Sequence, residues 1–217
     1  MIDYKAIYDK DYFNGKNSFF YSFGYARFSK TYFDNLFNPL KKYLQNHPKG
    51  RVLDVGCAYG LLLQRFPESY EKFGIDISEH AVQEARDRNP GADIQQHSAE
   101  DDFPFPDNYF DTVICNDVLE HLENPAKALE SIKRVVKKGG FVYLNIPNLN
   151  WFRRVFCFGI DKIEHHVSLY PYAKVAKSIR STGLEITDGW TYTSLTYFFF
   201  IKFKSTWGLE AAFLCTK

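Results

Sequence analysis

The stretch CNDVLEHL, residues 115 to 122, sets Asp117, Glu120 and His121 at positions i, i+3 and i+4, which share a face on a helical turn. Two carboxylates and an imidazole gathered in that way can hold a divalent cation. Without a cation, His121 is a candidate general base, because an imidazole titrates near neutrality. His165 and His166, in WFRRVFCFGIDKIEHHVS, are the next candidates for that base. The plain alternative is a polar cap on a buried strand.

A second group of residues points to a nucleoside. Asp54, Gly56, Cys57 and Gly60 lie in DVGCAYG, where an apolar run ends in glycines that permit a tight turn and close backbone approach to a ligand. Asp76 follows 22 residues after Asp54, at the end of the next apolar run, where a carboxylate can accept both hydroxyls of a ribose. An acid two residues before the first glycine would repel a pyrophosphate but suits a ligand carrying an ammonium and a sulfonium group. That disfavours a dinucleotide.

These groups need strands and helices to position them. RVLDVGC, YEKFGIDIS, ADIQQHS, YFDTVICN and FVYLNIPN read as five strands, with GLLLQRF, EHAVQEARDRN and AKALESIKRVVKK as intervening helices. Ser78 can cap the second helix, Asn124 and Pro125 open the third, and Gly139 and Gly140 stop it. Strands alternating with helices imply a parallel sheet covered on both faces. YPYAKVAKSIRSTG reads as a later helix, LEITDGWTYTS and GLEAAFLCTK as late strands, and Trp151 to Ser168 as an irregular insertion.

The 217 residues fit one domain, read here as a cap over 1–48, a cofactor-binding half over 49–150, and a substrate-side insertion with C-terminal strands over 151–217. Lys plus Arg is 27 against 26 Asp plus Glu, so no global field recruits nucleic acid or an anionic membrane, and partners must be found locally. Cys57, Cys115, Cys157 and Cys215 are widely spaced and read as free thiols of a reducing compartment. No apolar run is long enough to span a bilayer, so the expectation is a cytoplasmic protein without a transmembrane segment. Aromatic residues make up 18% of the chain and crowd the first 37 residues and YTSLTYFFFIKF, as flanking core or as a lid and wall around an apolar acceptor.

VLDVGCAYG, FGIDIS, SAEDDFPFPDNYFDTVICNDVLEHLENP and KKGGFVYLNIPN, in that order from about Val52 to Asn148, resemble the consecutive motifs of class I S-adenosylmethionine-dependent methyltransferases, especially the type 11 and type 12 small-molecule group. The resemblance implies an α/β fold with a Rossmann-like doubly wound seven-stranded sheet, mostly parallel with an antiparallel C-terminal strand, beneath an aromatic-rich N-terminal helical cap. It implies S-adenosylmethionine as cofactor and S-adenosylhomocysteine as product. Asp54, Gly56, Cys57 and Gly60 would face the methionyl end, Asp76 and Ile77 the ribose and adenine, Ala99 the adenine edge, and Asn116 the region near the methionyl group. The family often has Asp at the position of Ser98, so Ser98, Glu100 or Asp101 must substitute toward the adenine amino group.

Methyl transfer from a sulfonium is an in-line displacement in which alignment and exclusion of water supply much of the acceleration. The expected activity is transfer to a hydroxyl or amine of a small apolar or aromatic acceptor, with His121 as general base and His165 and His166 as further catalytic candidates. One alternative is a metal-dependent O-methyltransferase. Asp117, Glu120 and His121 with His165 or His166 resemble the acid-x-x-Glu-His plus distant His arrangement of the groups acting on ubiquinone precursors and on the terminal ribose of small RNAs. The string D-V-L-E-H-L also occurs in members not thought to need metal, so a metal is not the favoured expectation. A non-catalytic S-adenosylmethionine-binding protein is the remaining alternative.

Overall fold

The computed structural model describes residues 4–18, 25, 29–196, 199–203 and 206–217. The chain divides into two compact units, Met1–Ala99 and Glu100–Lys217. Of the expected aromatic lid, Phe19, Phe20, Tyr21, Phe23 and Phe28 lie outside the described residues, as do 197–198 and 204–205 around the second aromatic cluster.

The first unit opens with two short helices, α1 (Tyr4–Ile7) and α2 (Lys10–Phe13), and a longer one, α3 (Ser29–Asn46). Three strands follow, β1 (Gly50–Val55), β2 (Tyr70–Asp76) and β3 (Asp93–Gln96), with α4 (Glu79–Arg88) between the last two. All three are parallel, in the order β3-β2-β1. Val52, Leu53 and Val55 are wholly buried, as a parallel strand covered on both faces requires. Ser78 caps α4 as expected, its Oγ accepting from the Ala81 N–H at 3.2 Å. GLLLQRF forms only a single 3-10 turn over Leu63–Arg65 instead of the expected helix. The N-terminal aromatics pack as core: Phe13 stacks on Tyr59 at 4.9 Å, and Tyr25 meets both rings edge-on at 5.5 and 5.2 Å.

The second unit holds β4 (Phe110–Asn116), α5 (Pro125–Val135), β5 (Val136–Pro147), α6 (Trp151–Phe156), α7 (Phe158–Ile163), α8 (Tyr172–Ser181), β6 (Glu185–Thr196), β7 (Phe199–Phe203) and β8 (Glu210–Thr216). Its strands run in the order β4-β5-β8-β6-β7, with β4 and β5 parallel and β8 antiparallel to both its neighbours. The expected class is therefore observed: an α/β fold whose sheet is mostly parallel and closes with antiparallel C-terminal strands. Beyond the expected strands, β7 pairs with β6 in an antiparallel hairpin within the aromatic cluster.

Two boundaries differ from the sequence reading. α5 ends at Val135 and β5 begins at once, so Lys137, Lys138, Gly139 and Gly140 belong to the strand instead of a helical stop. Gly140 has no room for a side chain, since a Cβ there would sit 2.9 Å from the Lys137 carbonyl oxygen and 3.2 Å from that of Asp111. The segment after β5, expected to be irregular, folds into α6 and α7, with the Asn150 side chain capping α6 by accepting from the Arg153 N–H at 2.9 Å.

Candidate functional site

In the first unit the turn after β1 is built for close approach. Gly56 and Gly60 have φ of 71° and 68°, in the left-handed region that glycine occupies without strain, and Ala58 takes φ 45° between them. Gly56 and Cys57 both donate their N–H to the Ile75 carbonyl, at 2.8 and 3.0 Å, which ties the turn to the end of β2. A Cβ on Gly60 would lie 2.3 Å from the Asn89 amide nitrogen, which itself donates to the Gly60 and Ala85 carbonyls.

Asp76 is oriented by the same turn. Its Oδ2 accepts from the Ala58 N–H at 2.8 Å and its Oδ1 from the Ser78 N–H at 2.9 Å. A carboxylate has about four acceptor positions, so these bonds leave capacity for a ligand hydroxyl. Burial raises its pKa, and the backbone N–H groups of Ser78, Ala58 and Ile77 oppose that rise. Asp54 is pushed up to about 8, first by burial and then by the Asp76 charge. A cationic ligand group would relieve both carboxyls, so the chemistry of the turn fits an adenosine carrying a positively charged tail. Burial also pushes the Cys57 thiol up, so it is a packed wall of the turn and not a nucleophile. The Ile77 carbonyl accepts from the Gln96 amide at 3.0 Å, and the Ser98 carbonyl lies 2.8 Å from His97 Nδ1.

In the second unit β4 delivers Asn116, Asp117, Glu120 and His121 to one place. Asn116 donates to Asp117 Oδ2 at 3.0 Å, and its buried Oδ1 has no hydrogen-bond partner among the described residues. Asp117 takes φ 52°, ahead of the 3-10 turn over Leu119–His121, so it does not share a helical face with Glu120 and His121. Its carboxylate instead accepts from Asn116 and from the Asn145 amide, the latter at 2.9 Å. Tyr192 extends the chain by donating to Asn145 Oδ1 at 3.0 Å. Glu100 accepts from the Asn124 N–H at 2.7 Å and so braces the start of α5.

Among the described residues Glu120, His121 and His166 converge, each offering a donor atom within 4.8 Å of the others. Glu120 is wholly buried, and neither carboxylate oxygen has a hydrogen-bond partner among the described residues. Burial, then the Asp117 charge, raises its pKa well above the usual range. His121 lies with Nε2 at 3.9 Å from Glu120 Oε1 and its ring 4.9 Å from that of His166. Burial first, and His166 next, lower its pKa to about 3. The imidazole is therefore neutral at all ordinary pH.

His166 reaches the cluster because the Glu120 carbonyl accepts from the N–H groups of Val167 and Ser168, both at 2.8 Å. His166 Nδ1 lies 2.8 Å from Asp161 Oδ1, and Arg153 holds Asp161 from the other side at 2.6 Å while reaching Glu210 at 3.2 Å. His165 is exposed at φ 57° and stays outside the cluster. Arg153, Asp161, Glu210, Asn145 and Tyr192 carried no sequence signal, since they meet only through the fold.

Residues 53–144 match the family model described as a methyltransferase domain. The ubiquinone biosynthesis O-methyltransferase of Thiobacillus denitrificans is 33% identical over 164 residues, which cover 67% of this chain and 70% of that protein. The chain belongs to the class I S-adenosylmethionine-dependent methyltransferases. As a member of that family it is an enzyme that uses S-adenosylmethionine. Among solved structures it resembles a methyltransferase of Thermotoga maritima, with TM-score 0.66 at 18% identity over 86% of this chain and 98% of that one. A putative methyltransferase of Bacillus halodurans gives TM-score 0.60 at 24% identity over 69% and 70%. These distant likenesses bear out the methyltransferase fold. The turn at Asp54 to Gly60 and the strand end at Asn116 both lie inside the segment matched to the family model.

Proposed function

We propose that this methyltransferase is an O-methyltransferase in which Glu120, His121 and His166 hold a divalent cation. The acceptor is a small apolar or aromatic molecule carrying a hydroxyl beside a second oxygen. The observation that carries the reading is the Glu120 carboxyl: wholly buried, with neither oxygen hydrogen-bonded among the described residues, and beside two imidazoles. A buried carboxyl without a partner costs stability, and a cation is the partner that its neighbours fit. Two imidazoles and one carboxylate suit a first-row ion such as Mn2+, Co2+ or Zn2+ better than Mg2+, which prefers oxygen donors throughout. The name of the Thiobacillus relative, an O-methyltransferase, supports a hydroxyl acceptor.

The residues divide the work in a definite way. Asp76 would accept from the ribose hydroxyls, Asp54 would face the cationic tail of the cofactor, and Gly56, Cys57 and Gly60 would let the backbone approach it. Ile77, Ser98, Ala99, Glu100 and Asn116 remain the proposed neighbours of its adenine and methionyl parts. S-adenosylmethionine supplies a sulfonium methyl with a good leaving group, so the protein need only align the acceptor and exclude water. A cation at Glu120, His121 and His166 would supply Lewis acidity that lowers the pKa of an acceptor hydroxyl. Asp161 keeps the proton on His166 Nδ1, which leaves the other ring nitrogen free to ligate.

His121 acting alone as general base is the weaker reading. An imidazolium with a pKa of about 3 gives up its proton too readily to drive removal of one from a hydroxyl near neutrality. With its free cysteines, the enzyme is placed in the cytoplasm by this reading. Chelator-stripped enzyme assayed on a panel of catechols and mono-phenols tests the proposal. The expected outcome is catechol methylation that stops on stripping and returns with Mn2+ or Zn2+. Undiminished methylation by stripped enzyme would count against it.

A further inference from the structure

Methylation of a hydroxyl releases a proton, and the residues of the cluster are poorly suited to take it. Glu120 and the two imidazoles are occupied when a cation is held there, and His121 is too weak a base to act without one. Asp117 accepts from two amides, and both oxygens of Asp161 are engaged by Arg153, one of them also by His166. Glu210 differs from these. Its Oε1 accepts from Arg153 Nη1 at 3.2 Å, while its buried Oε2 has no hydrogen-bond partner among the described residues.

Strand pairing explains why that carboxyl stands near the cluster. Glu210 opens β8 opposite Tyr192 of β6, and Asn145 of β5 lies opposite Ala212, two residues further along β8. Cross-strand partners and alternate residues share a face, so Asn145, Tyr192 and Glu210 stand together on one side of the sheet. Two polar chains leave that face. Tyr192 reaches Asp117 through Asn145, and Glu210 reaches His166 through Arg153 and Asp161. Glu210 is also near enough for its charge to raise the Glu120 pKa. Its side chain keeps 22% of its surface exposed, so a small acceptor can approach it.

We propose that Glu210 is the general base that takes the proton from the acceptor hydroxyl. The acceptor O–H bond breaks with its proton passing to Glu210 Oε2, and the oxygen pair forms the new bond to the methyl carbon. The C–S bond breaks with its electrons left on the sulfur, as a thioether. Burial raises the Glu210 carboxyl to about 8; Arg153 on α6 opposes that rise, and Asp117 after β4 and Asp161 on α7 add to it. A carboxyl in that range exchanges protons near neutral pH. The role rests on the hydroxyl-acceptor part of the proposed function and not on the cation.

Steady-state methylation of catechol and of 4-nitrocatechol by the full chain, saturated with S-adenosylmethionine and supplied with Mn2+, tests it. The nitro group makes the second acceptor acidic enough to lose a hydroxyl proton to water unaided. Glu210→Gln keeps an oxygen for Arg153 but cannot take a proton, so kcat on catechol should fall about 100-fold and kcat on 4-nitrocatechol by less than about threefold. The variant should keep the wild-type affinity for S-adenosylmethionine, which reports that it folds. In the wild type kcat on catechol should rise with pH up to about 8 and then level off, as the carboxyl loses its proton. Equal losses on the two acceptors, no loss on catechol, or a flat wild-type profile would overturn the role. A wild type inactive on both acceptors would strike the hydroxyl-acceptor reading itself, and the base with it.

Discussion

His166 Nδ1 lies 2.8 Å from Asp161 Oδ1, so the insertion after β5 sets the tautomer of an imidazole that stands beside Glu120 and His121. Asp161 is itself ionised: burial works against its charge, but hydrogen bonds from His166 and Arg153 outweigh burial and hold its pKa below the ordinary value. A carboxylate only accepts, so the proton sits on Nδ1. The pair joins the fold of α6 and α7 to the proposed chemistry.

Asp161→Asn tests that link. The amide still fits but binds the imidazole more weakly, and the expected loss is about 10-fold to 100-fold in affinity for Mn2+ or Zn2+. Affinity for S-adenosylmethionine should stay the same. Titration calorimetry with each ligand separates the two, and an unchanged metal affinity would show that Asp161 serves only the fold.

Asp76→Ala should weaken S-adenosylmethionine binding by about 1.5 to 3 kcal/mol, the range for hydrogen bonds to a charged group. The variant also leaves the N–H groups of Ala58 and Ser78 without their acceptor, so its melting temperature should fall as well. Calorimetry of binding on folded protein decides the matter, and wild-type affinity would remove Asp76 from the ribose site.

Cofactor binding should release a proton. In the free protein Asp54 is pushed up to about 8, so at pH 7 it is mostly protonated, and a cationic ligand group favours its ionised form. Affinity should therefore rise as pH rises from about 6 to 8 and level off above that. Heats of binding measured at pH 7 in phosphate and in Tris should differ in proportion to the proton released. Equal observed heats in the two buffers would refute the coupling.

Much of the first unit was legible in the sequence because a strand, a glycine turn and the next strand are neighbours in both chain and space. Asp54, Gly56 and Asp76 stand where that logic puts them. The second unit was less legible for identifiable reasons. Asp117 was expected on the face of Glu120 and His121, but its left-handed backbone turns it toward Asn116 and Asn145. The choice between His165 and His166 depends on a single residue, His165 at φ 57°, which no spacing rule forecasts. Arg153 and Glu210 are 57 positions apart and meet only once β8 lies against β5.

Glu120→Gln should stabilise the metal-free protein while abolishing its use of a cation. The Glu120 pKa is raised in the folded state, so ionisation costs stability above about pH 4.5 and the cost grows until pH reaches the folded value. Glutamine carries no such cost. Thermal melts of stripped protein should give E120Q the higher melting temperature at pH 8 and little difference at pH 4.5. A lower melting temperature at pH 8 would mean that the carboxylate has a stabilising partner.

The central claim is the cation site, and Mn2+ titration followed by electron paramagnetic resonance tests it most directly. Chelator-stripped wild-type enzyme should bind one Mn2+ per chain, with Glu120→Gln and His166→Ala each weakening that site by at least about tenfold. Absence of a stoichiometric site in the wild type, or the same site in both variants, would contradict the account.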